Sequence, residues 1–131
     1  ELAFGDWTTQ GLPFYSANLT YHCEIDGGND TMIEVSNFRA PLVAVELDGK
    51  RVGTVAISPY KIELGKLSPG KHQLDLTAYG SRINTFGELH NCNLSVDWFG
   101  PNGWRSKGNE WAYEYRLWKS GILIAPKVWK K

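Results

Sequence analysis

Asp48-Gly49 sits between two apolar, β-branched runs, and this dipeptide restricts the chain more than any other stretch. Leu42-Val43-Ala44-Val45-Glu46-Leu47 precedes it and Lys50-Arg51-Val52-Gly53-Thr54-Val55-Ala56-Ile57 follows it. A two-residue β-hairpin loop of type I′ needs positive φ at both central residues, which Asp-Gly tolerates and most pairs do not. A loop at 48–49 places Glu46 opposite Arg51, as an opposite-charge cross-strand pair, and Val45 opposite Val52. Leu42 and Ala44 then share the second face with Val55 and Ile57. Both faces are partly apolar, which suits inner strands of a two-layer β structure.

The rest of the chain extends that pattern. Asn18 to Ile25 alternates, with Leu19, Tyr21, Cys23 and Ile25 on one face and Thr20, His22 and Glu24 on the other, as in a half-buried strand. Asp26-Gly27-Gly28-Asn29-Asp30 reads as a turn and Thr31–Val35 as a strand with Ile33 and Val35 inward. Pro59 precedes a Lys61–Leu64 strand, where its missing N–H is tolerated, and Pro69-Gly70 turns into a His72–Tyr79 strand. Glu110 to Lys119 alternates again, and Ile122–Ile124 forms a last short strand before the basic end Lys127, Lys130 and Lys131. Leu94–Trp98 is a further short strand inside the irregular, glycine-rich stretch 80–109. Residues 1–17 are irregular, with Trp7 plugging one end of the core. No helix longer than a turn or two is expected. Short strands at regular spacing argue for an all-β sandwich with Tyr21, Ile33, Val45, Leu74, Leu76, Trp111 and Tyr113 inside.

Several motifs together resemble a known group of domains. They are Asp48-Gly49-Lys50-x-Val52-Gly53, Pro59-Tyr60-x-Ile62-x-Leu64, Leu67-x-Pro69-Gly70, Leu74-x-Leu76, Gly11-Leu12-Pro13-Phe14-Tyr15-Ser16, and Tyr79-Gly80-x-Arg82-x-Asn84-x-Phe86-Gly87-x-x-His90. The combination resembles the C-terminal galactose-binding-like accessory domains of bacterial glycoside hydrolases, of family 2 or rhamnosidase type. The likeness spans most of residues 5–129. It implies a jelly-roll-like β-sandwich, a single domain over 1–131 that belongs to a larger and exported enzyme, and a non-catalytic role. The implied partners are other domains of that enzyme in cis, together with carbohydrate. The chain opens at Glu1 without an initiator Met and is read as an excised domain, so its first residues assign no compartment.

Composition narrows the remaining classes. The chain has 131 residues, enough for one domain with a real core, and a formal net charge of zero. That balance offers no electrostatic footprint for nucleic acid or an anionic membrane surface, and no apolar run is long enough to cross a bilayer as a helix. Cys23 and Cys92 are the only two cysteines, with neither disulfide-framework nor metal-ligand spacing. Cys23 reads as a buried free thiol, with a Cys23–Cys92 bridge as the alternative. His22, His72 and His90 lack the spacing of a metal site, no nucleophile elbow or phosphate loop is present, and no cofactor is implied. Three triplets beginning at Asn18, Asn29 and Asn93 match the N-glycosylation sequon and are idle in a bacterial protein.

A glycosidase needs two carboxyl groups about 5–5.5 Å apart for retention or about 6.5–9.5 Å for inversion. Glu110 and Glu114, on one face of an extended strand, would lie roughly 13 Å apart. The residues that suit sugar recognition lie in the loop-rich stretch 82–105. Arg82 and Arg105 can fork onto vicinal hydroxyls, Asn84 and His90 can donate and accept, and Trp104 can form a stacking floor. The competing reading is that Asn84 and Arg82 only tie the loop to itself. An accessory module that packs on neighbouring domains predicts an exposed apolar patch. An autonomous carbohydrate-binding module predicts two or three coplanar exposed aromatics.

Overall fold

A computed structural model describes residues 2–93, 103–104 and 106–131. It contains β1 (Leu19–Asp26), β2 (Asp30–Glu34), β3 (Phe38–Arg39), β4 (Val43–Leu47), β5 (Lys50–Val55), β6 (Lys61–Lys66) and β7 (Lys71–Ala78). A one-turn helix α1 (Ile83–Phe86) follows, then β8 (Gly121–Ile122) and β9 (Lys127–Lys130). All pairings are antiparallel. The strands form a four-stranded sheet in the order β1-β7-β4-β5, a three-stranded sheet β6-β2-β9 and a two-stranded β3-β8 pair. The described residues are almost all β, and their antiparallel sheets enclose one apolar core, an arrangement consistent with a β-sandwich.

The Asp48-Gly49 turn is as expected. Asp48 has φ 49° and Gly49 φ 76°, and Leu47 pairs with Lys50, so both central residues occupy the left-handed region of a type I′ loop. Glu46 does face Arg51. Beyond that pair the register departs from expectation, because a β-bulge leaves Val52 unpaired and sets Val45 opposite Gly53. The extra residue flips every later side chain of β5 to the opposite face. Val55 therefore pairs with Val43 on the core face instead of joining Ala44, and Val52 is exposed. The bulge also turns Gly53 toward β6, where a Cβ would stand 2.9 Å from Ile62 Cδ1. The second apolar face persists at Ala44, which is buried, but Ile57 is 82% exposed in the turn beyond β5. Of the two hairpin strands only β4 is internal; β5 ends its sheet.

Tyr21, Ile25, Val43, Val45, Val55, Leu74, Leu76 and Ala78 from the large sheet meet Ile33 and Val35, with Ile62 and Leu64 partly buried at the border. Each buried apolar side chain of this kind stabilises the fold by about 1.5–3 kcal/mol. Trp7, in a 3₁₀ turn, closes one end of this core as expected. Asp6 holds that turn: its Oδ1 accepts from Thr8 N at 3.0 Å and Ser120 N at 3.1 Å. Backbone bonds from Gly5 N to Ile122 O and from Trp7 N to Ser120 O complete the seam.

Two expectations fail at the C-terminal end. Residues 110–119 form no strand, Tyr113 is 82% exposed and Trp111 only half-buried. Glu110 and Glu114 consequently do not share a strand face. The backbone there bonds to an irregular segment: Cys92 N donates to Glu110 O, Ala112 N to His90 O and Arg116 N to Leu89 O. Among the described residues no strand runs alongside to cover alternate side chains, so the period-two pattern makes no buried face. Conversely, the basic end is a strand, β9, because it finds Thr31–Glu34 as a partner. Cys23 faces inward, half-buried, and both cysteines are free, so the bridge does not form. The strand expected at Leu94–Trp98 lies outside the described residues.

Candidate functional site

The stretch singled out for sugar recognition follows β7 and begins with α1. Asn84 is 2% exposed and serves as a backbone clamp. Its Nδ2 donates to Trp118 O at 2.7 Å, and its Oδ1 accepts from Trp118 N at 2.8 Å. A planar amide is the side chain that can satisfy an N–H and a C=O of one residue together, as a neighbouring strand would. Thr85 Oγ1 donates to Phe14 O at 3.0 Å, so α1 is tied both to the N-terminal segment and to the approach to β8. Arg82 flanks α1 and is exposed.

His90 and Trp104 come together around a groove of about 280 Å³, bordered also by Thr85, Glu88, Leu89 and Tyr115. His90 Nδ1 lies 2.8 Å from Ala112 O. A carbonyl can only accept, so Nδ1 carries the proton and Nε2 is the nitrogen left for a ligand. The His90 ring stands 4.6 Å from the Tyr115 ring. Trp104 is 56% exposed, and its Nε1 donates to Phe86 O at 2.9 Å, which fixes the indole at the groove rim. Arg82 and Asn84 do not border the groove. Arg105 lies outside the described residues. Tyr115, Thr85 and Glu88 were missed by sequence reasoning; Tyr115 was hidden because the alternation of 110–119 assigned it to a strand.

Phe14, Phe86, Tyr113, Tyr115 and Trp118 are exposed; the Phe86 carbonyl holds the Trp104 indole, Tyr115 borders the same groove, and Phe14 packs on Tyr115. Their recorded ring pairs are inclined, with interplanar angles of 73° for Phe14–Tyr115, 70° for Trp111–Tyr113 and 43° for His90–Tyr115. Inclined pairing of this kind makes a rough apolar surface, whereas a flat chain of sugar rings is matched by coplanar aromatics.

The polarised carboxylates lie elsewhere. Asp75 and Glu46 are opposite each other on β7 and β4. Burial raises the Asp75 pKa, but hydrogen bonds from His22 and Gln73 outweigh it, and the net shift is downward. A general acid needs the reverse shift. Among the described residues no group of His, Cys, Asp and Glu is arranged to hold a metal ion.

No protein-family model matches the chain, and no curated protein matches it. Solved structures do. A GH2 β-galacturonidase from Eisenbergiella tayi bound to galacturonate is similar at 26% identity over 67% of this chain and 16% of its own, with a TM-score of 0.53. The GH2 β-galacturonidase from the same organism bound to glycerol gives 27% identity over 71% and 17%, with a TM-score of 0.54. A rhamnosidase from Novosphingobium sp. PP1Y matches 90% of this chain and 11% of its own at 20% identity, with a TM-score of 0.60, a likeness of fold alone. These findings support a domain related to glycoside hydrolases. The chain spans less than a fifth of the length of each of these enzymes.

Proposed function

We propose that the chain is a non-catalytic accessory domain of a multidomain glycoside hydrolase, a galactose-binding-like jelly roll that packs against the other domains of its parent. The observation that carries this reading is the likeness of about two thirds of the chain to a minor part of longer GH2 enzymes, with a likeness of fold to a rhamnosidase over 90% of it. The rough aromatic surface at the loop end supports a packing role, because a domain held in cis covers such a surface. Inter-domain interfaces within a chain typically bury about 600–1,500 Å².

A second reading, an autonomous carbohydrate-binding module, is favoured by the groove that joins Trp104 to His90 Nε2. On this reading Arg82 and Arg105 would supply forked hydrogen bonds to vicinal hydroxyls, and Asn84 would act indirectly, by holding Trp118. One stacked ring and a few solvent-competed hydrogen bonds give dissociation constants on the order of millimolar.

Two assays on the purified chain test these readings. With aryl glycosides it should release no aglycone; turnover that disappears on a single Glu or Asp substitution would defeat the accessory role. A glycan array should leave the chain blank if it only packs, whereas binding abolished by Trp104→Ala establishes the second reading in its place.

A further inference from the structure

The outer face of the three-stranded sheet carries an arrangement unrelated to the loop end. Ile33 of β2 points into the core, so Met32 and Glu34 point out. The register then sets Lys61, Glu34 and Lys127 in one row across β6, β2 and β9, and Glu63, Met32 and Trp129 in the next. Trp129 is 46% exposed. Its Nε1 donates to Glu34 Oε2 at 3.2 Å, which fixes the tilt of the indole. Lys61 Nζ lies 3.7 Å from the same carboxylate oxygen and 5.9 Å from the indole centroid. Lys127, two residues from Trp129 on the same face, has no ion-pair partner among the described residues. Glu63 of the next row is paired with Lys131 at 3.6 Å, so the two lysines that flank Glu34 leave an excess of one positive charge beside an oriented, exposed indole.

We propose that this face, centred on Trp129, is a stacking site for a sugar residue that carries a carboxylate. The C–H face of a pyranose presents slightly positive hydrogens that match the negative face of an indole. Because the ring is already held by Glu34, little ordering cost remains to oppose binding. The carboxylate of a uronic acid supplies the counter-charge that Lys127 lacks, and it competes with Glu34 for Lys61. A neutral hexose can use the ring but not the charge. The site is separate from the Trp104 groove and stands whether or not that groove binds sugar.

The test is a ¹H–¹⁵N titration of the 131-residue chain with galacturonate and, in parallel, galactose, following the indole N–H signals. The expected result is movement of the Trp129 signal with a dissociation constant of roughly 1–10 mM for galacturonate. Binding of galactose should be about threefold or more weaker, the size of effect an exposed ion pair supplies. Lys127→Gln should abolish the difference between the two sugars while leaving the galactose response, and Trp129→Ala should remove both. The Lys127→Gln comparison decides the matter even if Trp129→Ala fails to fold, since Lys127 is exposed. The proposal is overturned if neither sugar moves Trp129 at concentrations of about 50 mM, well above the expected constant. It is equally overturned if only the Trp104 signal moves, or if Lys127→Gln keeps the preference for galacturonate.

Discussion

Replacing Asn84 by alanine separates holding the loop from touching a ligand. The substitution removes two short hydrogen bonds to Trp118, one from the amide nitrogen and one to the amide oxygen. A hydrogen bond of this kind nets about 0.5–1.5 kcal/mol, and a buried polar group left without a partner costs about 1–3 kcal/mol. The Trp118 backbone is part-buried and can recover some of its bonding from water, so the expected loss is about 2–4 kcal/mol. For a domain of this size 1 kcal/mol corresponds to roughly 3–5 °C, so the melting temperature should fall by about 6–20 °C. Asn84→Asp should recover only part of this. Its carboxylate still accepts from Trp118 N but faces the Trp118 carbonyl without a proton to donate. The assay is thermal and urea unfolding followed by far-UV circular dichroism, with both variants beside the parent protein. A melting temperature within about 2 °C of the parent for Asn84→Ala, less than the loss of a single such bond, would refute the clamp and return Asn84 to the pool of free ligand-binding groups.

Gly49→Val should destabilise the fold by roughly 1–2 kcal/mol or more, since a β-branched residue resists the φ of 76° found there; an unchanged urea midpoint would contradict the turn. Trp7 Nε1 is buried without a hydrogen-bond partner among the described residues. Trp7→Phe should therefore cost less than the loss of ring volume suggests, under about 2 kcal/mol, because it also removes an unsatisfied donor; calorimetry that shows a loss above about 3 kcal/mol, the low end for truncating a large core aromatic to alanine, would contradict this account. Stability should also vary with pH through His72, whose Nδ1 lies 2.6 Å from Asp48 Oδ2 and whose Nε2 lies 3.0 Å from Ser68 O. Both acceptors require a proton on the ring, and the bond to Asp48 first, then that to Ser68, raises the His72 pKa above its ordinary 6.5. The same bond to His72, followed by one from Gln73 N, lowers Asp48 below 3.8. A raised histidine stabilises fully below its unfolded value and loses that contribution as pH climbs through the folded one; a depressed aspartate does the opposite at the acid end. The pair should stabilise most between about pH 4 and 6.5, and His72→Gln should flatten the alkaline side of the stability profile measured by urea midpoint from pH 5 to 9. A profile of identical shape in the variant would count against the clamp.

Much of the fold is legible in the sequence because the information is local. Leu19–Ile25 and Lys71–Ala78 alternate with period two, and they pair along their whole length as β1 and β7. Asp48-Gly49 adopts the only kind of loop that its backbone preferences and its flanking runs allow together. What failed depended on partners distant in the chain. The bulge at Val52 brings Gly53 against Ile62 of the opposite sheet, and β5 alone carries no sign of it. Residues 110–119 have a better alternating pattern than Lys127–Lys130, yet only the latter forms a strand. Alternation buries side chains only where another strand supplies both backbone bonds and a flat neighbour, and β2 offers its free edge to Lys127–Lys130 alone. The site divides in the same way. His90 and Trp104 could be named from residue type in a loop-rich stretch, but Tyr115 joins them through tertiary contacts, among them the bond from Arg116 N to Leu89 O. The tile around Trp129 is three strands wide and has no local signature at all. Side-chain chemistry and turn preference belong to the sequence; which residues share a face is a property of register, and register is decided by the pairing of strands far apart in the chain.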